Sequence, residues 1–215
     1  NLYSIDPTQP AGVVTTLATN LGGSSDGITF DGTRIWTANQ ASSVSIVTNT
    51  GVPPWTVTTV TAGFQVPTGI LTDGSNIWVT DYGAGTLLKL ASSAAILSTV
   101  TLGGGPAFPA YDGANIWVPR NGAVSVAVVR ASSGAVLATL TGNGLSLPNS
   151  AAFDGERILV TNYFDTVSLW RASDLSPLGF FSTGTDSRPW GACSDGINFW
   201  VVLQGFSGNG RLARF

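Results

Sequence analysis

The sequence contains no histidine and no methionine, a single cysteine (Cys193), a single glutamate (Glu156), and one lysine beside eight arginines. Each shortage removes a class of function. Without histidine there is no Ser-His-Asp triad and no His-based zinc site. One cysteine excludes a disulfide scaffold. Charged residues make up only 10% of the chain, where an average soluble protein has about 25%. With a net charge of −3, a pI near 4.6 and no Lys/Arg cluster, the chain cannot bind polyanions generally, because counterion release needs clustered cations. Long apolar runs are missing too. Ala123 to Val129 is among the longest and Arg130 ends it, well short of the roughly 20 residues a membrane-spanning helix needs. No segment carries helical periodicity over a useful length.

What is present is apolar and aromatic: 43% hydrophobic residues, with seven tryptophans, in 215 residues. That is enough for a sizeable core and excludes disorder. Low charge, Arg in preference to Lys, and abundant Ser, Thr and Gly fit an extracytoplasmic bacterial domain, secreted or at the cell surface. The lack of Met and of a secretory signal fits a processed or excised product. No Asn-x-Ser/Thr sequon occurs.

An Asp-Gly pair recurs at Asp31, Asp73, Asp112, Asp154 and Asp195, at spacings of 42, 39, 42 and 41. Each opens one pattern: TFDGTRIWTAN, LTDGSNIWVTD, AYDGANIWVPR, AFDGERILVTN, CSDGINFWVVL. Five positions after each Asp stand Trp36, Trp78, Trp117, Leu159 and Trp200. A period of about 40 residues holding several short β-rich runs is the signature of propeller blades. Asp-Gly between two such runs predicts a tight hairpin whose two turn residues both tolerate positive φ. Each repeat reads as four strands. The second gives TGILT, NIWVT, TLLKL and ILSTV; the fourth gives SAAF, RILVT, TVSLW and LGFFS. Small residues in the innermost strands, such as Gly69, Ala110, Ala151 and Ala152, suit a channel that narrows inward.

Counting strands predicts the architecture. LYSID and VVTTLAT align with the third and fourth strands of a repeat, four full repeats follow, and a fifth supplies three strands. The expectation is an all-β chain, residues 1–215 forming one domain: a five-bladed β-propeller of four-stranded blades. The N-terminal VVTTLAT would close the ring by pairing with the last blade. One strand is surplus. Residues 211–215 are expected to take the third position of the last blade, leaving LYSID at the outer rim with an edge open to a neighbour.

The runs IWVTDYGAGTLLKL and ILVTNYFDTVSLWRASD resemble the YVTN-type β-propeller repeat of bacterial extracytoplasmic and surface proteins. The resemblance extends over nearly the whole chain, and the family's P-x-G phrase appears as Pro67-Thr68-Gly69 and Pro189-Trp190-Gly191. Members of that family more often carry seven repeats, whereas five are visible here. The repeat implies a fold and is nearly silent on function.

Ligands of such rings sit where loops converge on the channel mouth. Two columns of residues point there. Five positions before each Asp-Gly stand Asp26, Thr68, Ala107, Asn149 and Trp190; eight after each Asp stand Asn39, Asp81, Arg120, Asn162 and Leu203. Gln40, Tyr82, Tyr163 and Gln204 are adjacent to the second column, and Arg188 lies beside Trp190. The candidate ligand residues are therefore Asp26, Asn39, Asp81, Tyr82, Arg120, Asn149, Asn162, Tyr163, Arg188 and Trp190, which offer polar groups and aromatic faces for a glycan or a peptide. For Asn and Asp the competing role is turn formation through their own backbone. The Trp column reads as packing between blades, because Leu159 fills the same slot. The repeated Asp reads as a turn residue, since one carboxylate per blade makes no metal cluster. Neither metal nor cofactor is expected, and no nucleic-acid partner.

Streptogramin lyases and gluconolactonase-like hydrolases are propellers with similar strand phrasing. The lyases are expected to use a His with a Glu, and lactonase-like sites a Glu with Asn/Asp around a metal. Here there is no His, and Glu156 sits in a hairpin turn. Cys193 falls in an innermost strand and reads as a buried, inert thiol. The expectation is a non-catalytic binding module, with a structural subunit that associates through its surplus edge strand as the alternative.

Overall fold

The computed structural model describes residues 1–10, 12–206 and 209–215. Those residues form strands and turns with no helix. A hairpin comes first, β1 (Leu2–Ile5) with β2 (Val14–Ala18). Blade I is β3 (Ser25–Phe30), β4 (Arg34–Asn39), β5 (Ser43–Thr48) and β6 (Thr56–Val60). Blade II is β7 (Pro67–Thr72), β8 (Ile77–Asp81), β9 (Thr86–Leu90) and β10 (Ile96–Thr101). Blade III is β11 (Ala110–Tyr111), β12 (Asn115–Arg120), β13 (Ser125–Arg130) and β14 (Val136–Leu140). Blade IV is β15 (Pro148–Phe153), β16 (Arg157–Asn162), β17 (Thr166–Arg171) and β18 (Pro177–Ser182). Blade V has three strands, β19 (Pro189–Ser194), β20 (Phe199–Leu203) and β21 (Arg211–Arg214). Within each blade the strands pair antiparallel with their sequence neighbours, as in a meander, and one isolated parallel bridge, Phe108 to Ser150, ties the loop before β11 to blade IV. The chain is a five-bladed β-propeller, as the repeat predicts.

The repeated Asp-Gly motif does more than turn the chain. In every blade its carboxylate accepts the backbone N–H groups two and three residues on, for example Ser75 and Asn76 at Asp73. The other oxygen accepts the indole Nε1–H of the tryptophan five residues on: Trp36 to Asp31 at 2.6 Å, Trp78 to Asp73 at 2.8 Å, Trp117 to Asp112 at 2.7 Å, Trp200 to Asp195 at 2.8 Å. Blade IV has Leu159 in the slot, and Arg157 Nε takes over the free oxygen of Asp154 at 2.7 Å. The five-residue spacing thus joins the turn to the core residue. The turn itself differs from expectation. It spans three or four residues, and only its glycine is left-handed, from Gly74 (φ 88°) to Gly155 (φ 106°), because the Asp carboxylate caps the loop without needing positive φ.

Blades pack face to face, and the packing has a direction. The tryptophan face of each blade meets the opposite face of the next, where the residue beside the tryptophan points. Trp36 clusters with Ile77 and Val79, Trp78 with Ile116 and Val118, Trp117 with Ile158 and Val160, and Leu159 with Phe199 and Val201. The first three indoles are fully buried. Packing is therefore the role of this column, as expected. At the inner strands the approach is close enough to demand small residues: a Cβ on Gly69 would lie 2.5 Å from Pro109 Cδ and 2.9 Å from the Ala107 carbonyl oxygen.

Two expectations need correction. VVTTLAT does not pair with blade V. β2 pairs as a strand with β1 alone, and the hairpin lies on blade I, where Trp55 N–H donates to the Leu17 carbonyl at 2.7 Å and Leu2 and Ala18 are buried with Val47, Trp55 and Val57. The reason is that β1 and β2 are already a third-and-fourth-strand pair, and β21 fills the third position of blade V, as expected of that segment. Cys193 is exposed rather than buried. It stands opposite Trp200 in the register, on a face that no later blade covers.

Candidate functional site

The inner strands of all five blades begin at one end of the channel, and their first residues enclose a cavity of about 440 Å³. Its aromatic walls are Tyr82, Phe108, Tyr163 and Trp190, and its polar groups include Asp26, Gln40, Asn121 and Asn149. A second space of about 310 Å³ continues into the channel, sharing Asp26, Phe108 and Trp190 with the mouth. The mouth is thus a concave, largely apolar bowl with a few convergent polar groups, the usual form of a small-ligand site.

Local sequence explains how each group is held. The residue two before the start of the inner column is left-handed in four blades: Ser24, Gly105, Leu147 and Arg188. Three of these are not glycine, and a left-handed L-residue costs about 1 kcal/mol, a form of strain that concentrates at functional sites. Asp165 fixes the loop into blade V by accepting the N–H groups of Asp186, Ser187 and Arg188 at 2.8, 2.7 and 3.1 Å. Burial pushes the Asp165 carboxyl up, but the N–H groups of Arg188, Asp186 and Ser187 outweigh it and hold the group below the usual carboxylate range. The Trp190 carbonyl accepts hydrogen bonds from Thr161 Oγ1 at 2.8 Å and Asn149 Nδ2 at 3.2 Å, which pin the start of β19 to blade IV. Gln40 Nε2 donates to Asp26 Oδ2 at 2.7 Å and orients that carboxylate at the rim.

Of the ten expected ligand residues, the structure brings Asp26, Tyr82, Asn149, Tyr163 and Trp190 together in the mouth. The other five are elsewhere. Asn39 and Asn162 are fully buried, where they bond Ser43 and Ser45, and Thr166 and Ser168, respectively. Asp81 is buried too, accepting N–H groups from Gln65, Val66 and Ala84. These three are turn and strand clamps, the competing role foreseen for Asn and Asp. Arg120 donates to the Leu102 carbonyl at 2.7 Å, and Arg188 lies over the rings of Phe206 and Tyr163. Phe108 and Asn121 line the mouth without having been singled out. Asn121 follows the second column by one position, like Tyr82 and Tyr163, so the repeat alignment contained that signal. Phe108 did not show, because blade III has a two-residue inner strand and its preceding loop reaches into the bowl.

No family model matches the chain. No curated protein matches it in sequence. Solved structures do share the fold. A catalytically inactive histidine-to-alanine variant of virginiamycin B lyase from Staphylococcus aureus, with quinupristin, superposes with a TM-score of 0.73 at 14% identity, covering 88% of this chain and 65% of that one. A streptogramin B lyase structure gives 0.74 at 15%, covering 93% and 71%. Glutaminyl cyclase from Myxococcus xanthus gives 0.58 at 11%, covering 90% and 92%. From these shares the two lyase chains are about 280–290 residues, roughly 65–75 more than this one, while the cyclase is about equal in length. At such identities the likeness shows the propeller fold alone. The expectation that the chain is not an enzyme is corrected by these neighbours: all three are named as enzymes, so this architecture is no argument against catalysis. No family model carries the YVTN repeat label for this chain.

Proposed function

We propose that the channel mouth captures a short peptide bearing a positively charged group, and that the chain is a YVTN-type propeller working outside the cytoplasm. The observation that carries the reading is the composition of the bowl. Four aromatic rings surround it, and Asp26 is the one charged residue among the described residues that line it. Aromatic faces with a single carboxylate favour a cation, through ring quadrupoles and direct charge attraction. The net charge of −3 works in the same direction. Gln40, Asn121 and Asn149 add amide groups that match a peptide backbone. The YVTN-like repeat phrasing and the low-charge, Arg-over-Lys composition support the location outside the cytoplasm.

The test compares a lysine-bearing aromatic peptide, its acetyl-lysine counterpart and a panel of neutral glycans, with binding read from tryptophan fluorescence. The lysine peptide should bind best. Asp26→Asn should weaken it about fivefold, as an exposed charge pair would, and leave the acetylated peptide unchanged. Trp190→Ala should weaken both without altering the melting temperature. Tighter binding of glycans, or indifference to Asp26→Asn, would overturn the reading.

A further inference from the structure

Below the mouth the repeat supplies a second ring. Two positions after Asp26, Thr68, Ala107, Asn149 and Trp190 stand Ile28, Ile70, Pro109, Ala151 and Ala192, one from each blade. The upper column mixes a carboxylate, a hydroxyl, an amide and an indole; the lower one is apolar in all five blades. All five of its members line the space of about 310 Å³ that opens from the mouth past Asp26, Phe108 and Trp190. The rest of that lining is Gly27, Ser150 and Gly191. The Ser150 hydroxyl is already engaged, accepting the Ala192 N–H at 3.3 Å. Beneath Asp26, the lining side chains among the described residues are hydrocarbon apart from that hydroxyl.

The ring is graded in size. Blades I and II contribute Ile28 and Ile70, blades IV and V only Ala151 and Ala192, so the small side leaves its room beneath Asn149 and Trp190. Gly191 adds to that room. In the same slot, a Cβ on Gly27 would come 2.6 Å from the Thr68 carbonyl oxygen and one on Gly69 2.5 Å from Pro109 Cδ, so packing demands glycine in blades I and II. A Cβ on Gly191 would meet nothing within 4 Å, and its φ is not left-handed. Packing does not require glycine there, and a larger residue would occupy the chamber. Ile28 is 60% exposed although it lines this space, against 7% for Ile70. An apolar occupant would take that surface out of water, whereas water itself finds few polar partners here.

We propose that this chamber takes one aliphatic side chain of the captured peptide, of about leucine size, from a residue adjacent to the cationic one or one removed from it. The inference rests on the proposed capture of a cation at the mouth, because Asp26 lines both spaces and sets the level at which that charge sits. A group held at Asp26 has the amides of Gln40, Asn121 and Asn149 on one side and the apolar ring on the other. The ligand is therefore cationic and aliphatic at neighbouring positions. A charged or amide side chain sent into the chamber would lose its water and gain no partner.

The experiment uses N-acetylated peptides in which the residues flanking a central lysine or acetyl-lysine are all leucine or all alanine, with affinity read from tryptophan fluorescence. Leucine should improve binding about tenfold or more over alanine with either central residue, because three further carbon groups are buried. Gly191→Leu should cut that preference to about twofold or less and keep the preference for lysine over acetyl-lysine. Asp26→Asn should do the reverse. If Gly191→Leu lowers the melting temperature, Ile28→Ser serves in its place, since Ile28 is largely exposed and its loss should weaken the leucine peptides alone. Equal binding of leucine and alanine peptides would overturn the chamber and leave the mouth reading standing. A leucine preference that survives both variants would put the side chain in the bowl and overturn the chamber as well. A leucine preference with none for lysine would overturn the mouth reading instead. Should no peptide bind, 3-methylbutan-1-ol decides the chamber: it should shift the Ile28 and Ile70 methyl signals in NMR spectra of the unmodified protein and not of Gly191→Leu. Unshifted methyls would overturn the proposal.

Discussion

Trp78 and Trp200 occupy the same slot in the repeat and make the same hydrogen bond, 2.8 Å from Nε1 to the carboxylate of Asp73 or Asp195. They differ in cover. Trp78 is fully buried against Ile116, Val118 and Val129 of blade III, and the Lys89 ammonium lies over its ring. Trp200 is only partly buried, with no blade beyond it. Replacing each by alanine deletes the same indole and the same hydrogen bond, so the difference between the two costs isolates packing between blades. Trp78→Ala should destabilise by about 3–5 kcal/mol, the range for a buried aromatic deletion. Trp200→Ala removes less buried area and leaves no internal cavity, and should cost about 1–2 kcal/mol. A gap of about 2 kcal/mol is roughly thirtyfold in the folding constant. Urea titration followed by far-UV circular dichroism measures it as a shift in midpoint at constant slope. Equal costs would refute the reasoning, by showing that the outer face of blade V is covered in solution. A cost at Trp78 below about 1 kcal/mol would refute the packing role of the whole column.

Two further outcomes are expected. Burial pushes the Asp31, Asp73 and Asp154 carboxyls up, but their N–H donors, with Trp36, Trp78 and Arg157, outweigh it and hold all three low; the Asn198 N–H and the Trp200 indole hold Asp195 low as well. Carboxyls lower in the folded than in the unfolded state stabilise the fold above the unfolded value of about 3.9, and lose that contribution as pH falls through their folded values. With no histidine to titrate, the thermal midpoint should be flat from about pH 5 to 8 and fall below about pH 4; a midpoint unchanged down to pH 2.5 would contradict it. Asp165→Asn should release the loop that carries Arg188 and Trp190, because an amide offers one acceptor oxygen where the carboxylate accepts three N–H groups on two. Hydrogen exchange should quicken at the amides of residues 186–188 and peptide binding should weaken, with the amides of β16 and β17 unaffected.

The blades were legible in the sequence because each carries the same local signals at a fixed period. Asp-Gly, the adjacent Ile-Trp and the Ser/Thr-rich fourth strand all specify structure within about 40 residues. The indole-carboxylate bond lay in the spacing as well, yet a spacing of five in a strand-turn-strand unit says only that two residues share a region, not that one reaches the other. The mouth was half legible. Residues at the start of an inner strand, Asp26, Asn149 and Trp190, face the channel because the pleat and the converging strands leave them nowhere else to point. Residues at the end of the second strand divide by what precedes the next turn: Asn39 turns inward onto Ser hydroxyls, Asp81 onto backbone N–H groups and Asn162 onto both kinds of partner, while the following Gln40, Tyr82 and Tyr163 turn out into the bowl. A one-residue step exchanges the two fates, since alternate strand residues point to opposite faces.

Ring closure was the part the repeat could not specify, and the reason is physical. Within a blade, register follows from alternation and from turns of a few residues, so each strand finds its neighbour locally. Closure depends on how far each blade rotates against the next, which is set by side-chain volume at the interfaces. Small differences there, such as Gly69 against Pro109 and Ala107, accumulate around the channel. Strand counting treats every interface as equivalent and makes twenty-one strands look like one too many for five blades. Burial treats them individually. It shows four interfaces filled and a fifth face, with Val202, Leu212 and Cys193 on it, open to solvent. The strand register of that face repeats the register of the covered blades, so what differs is the interface and not the strands that form it.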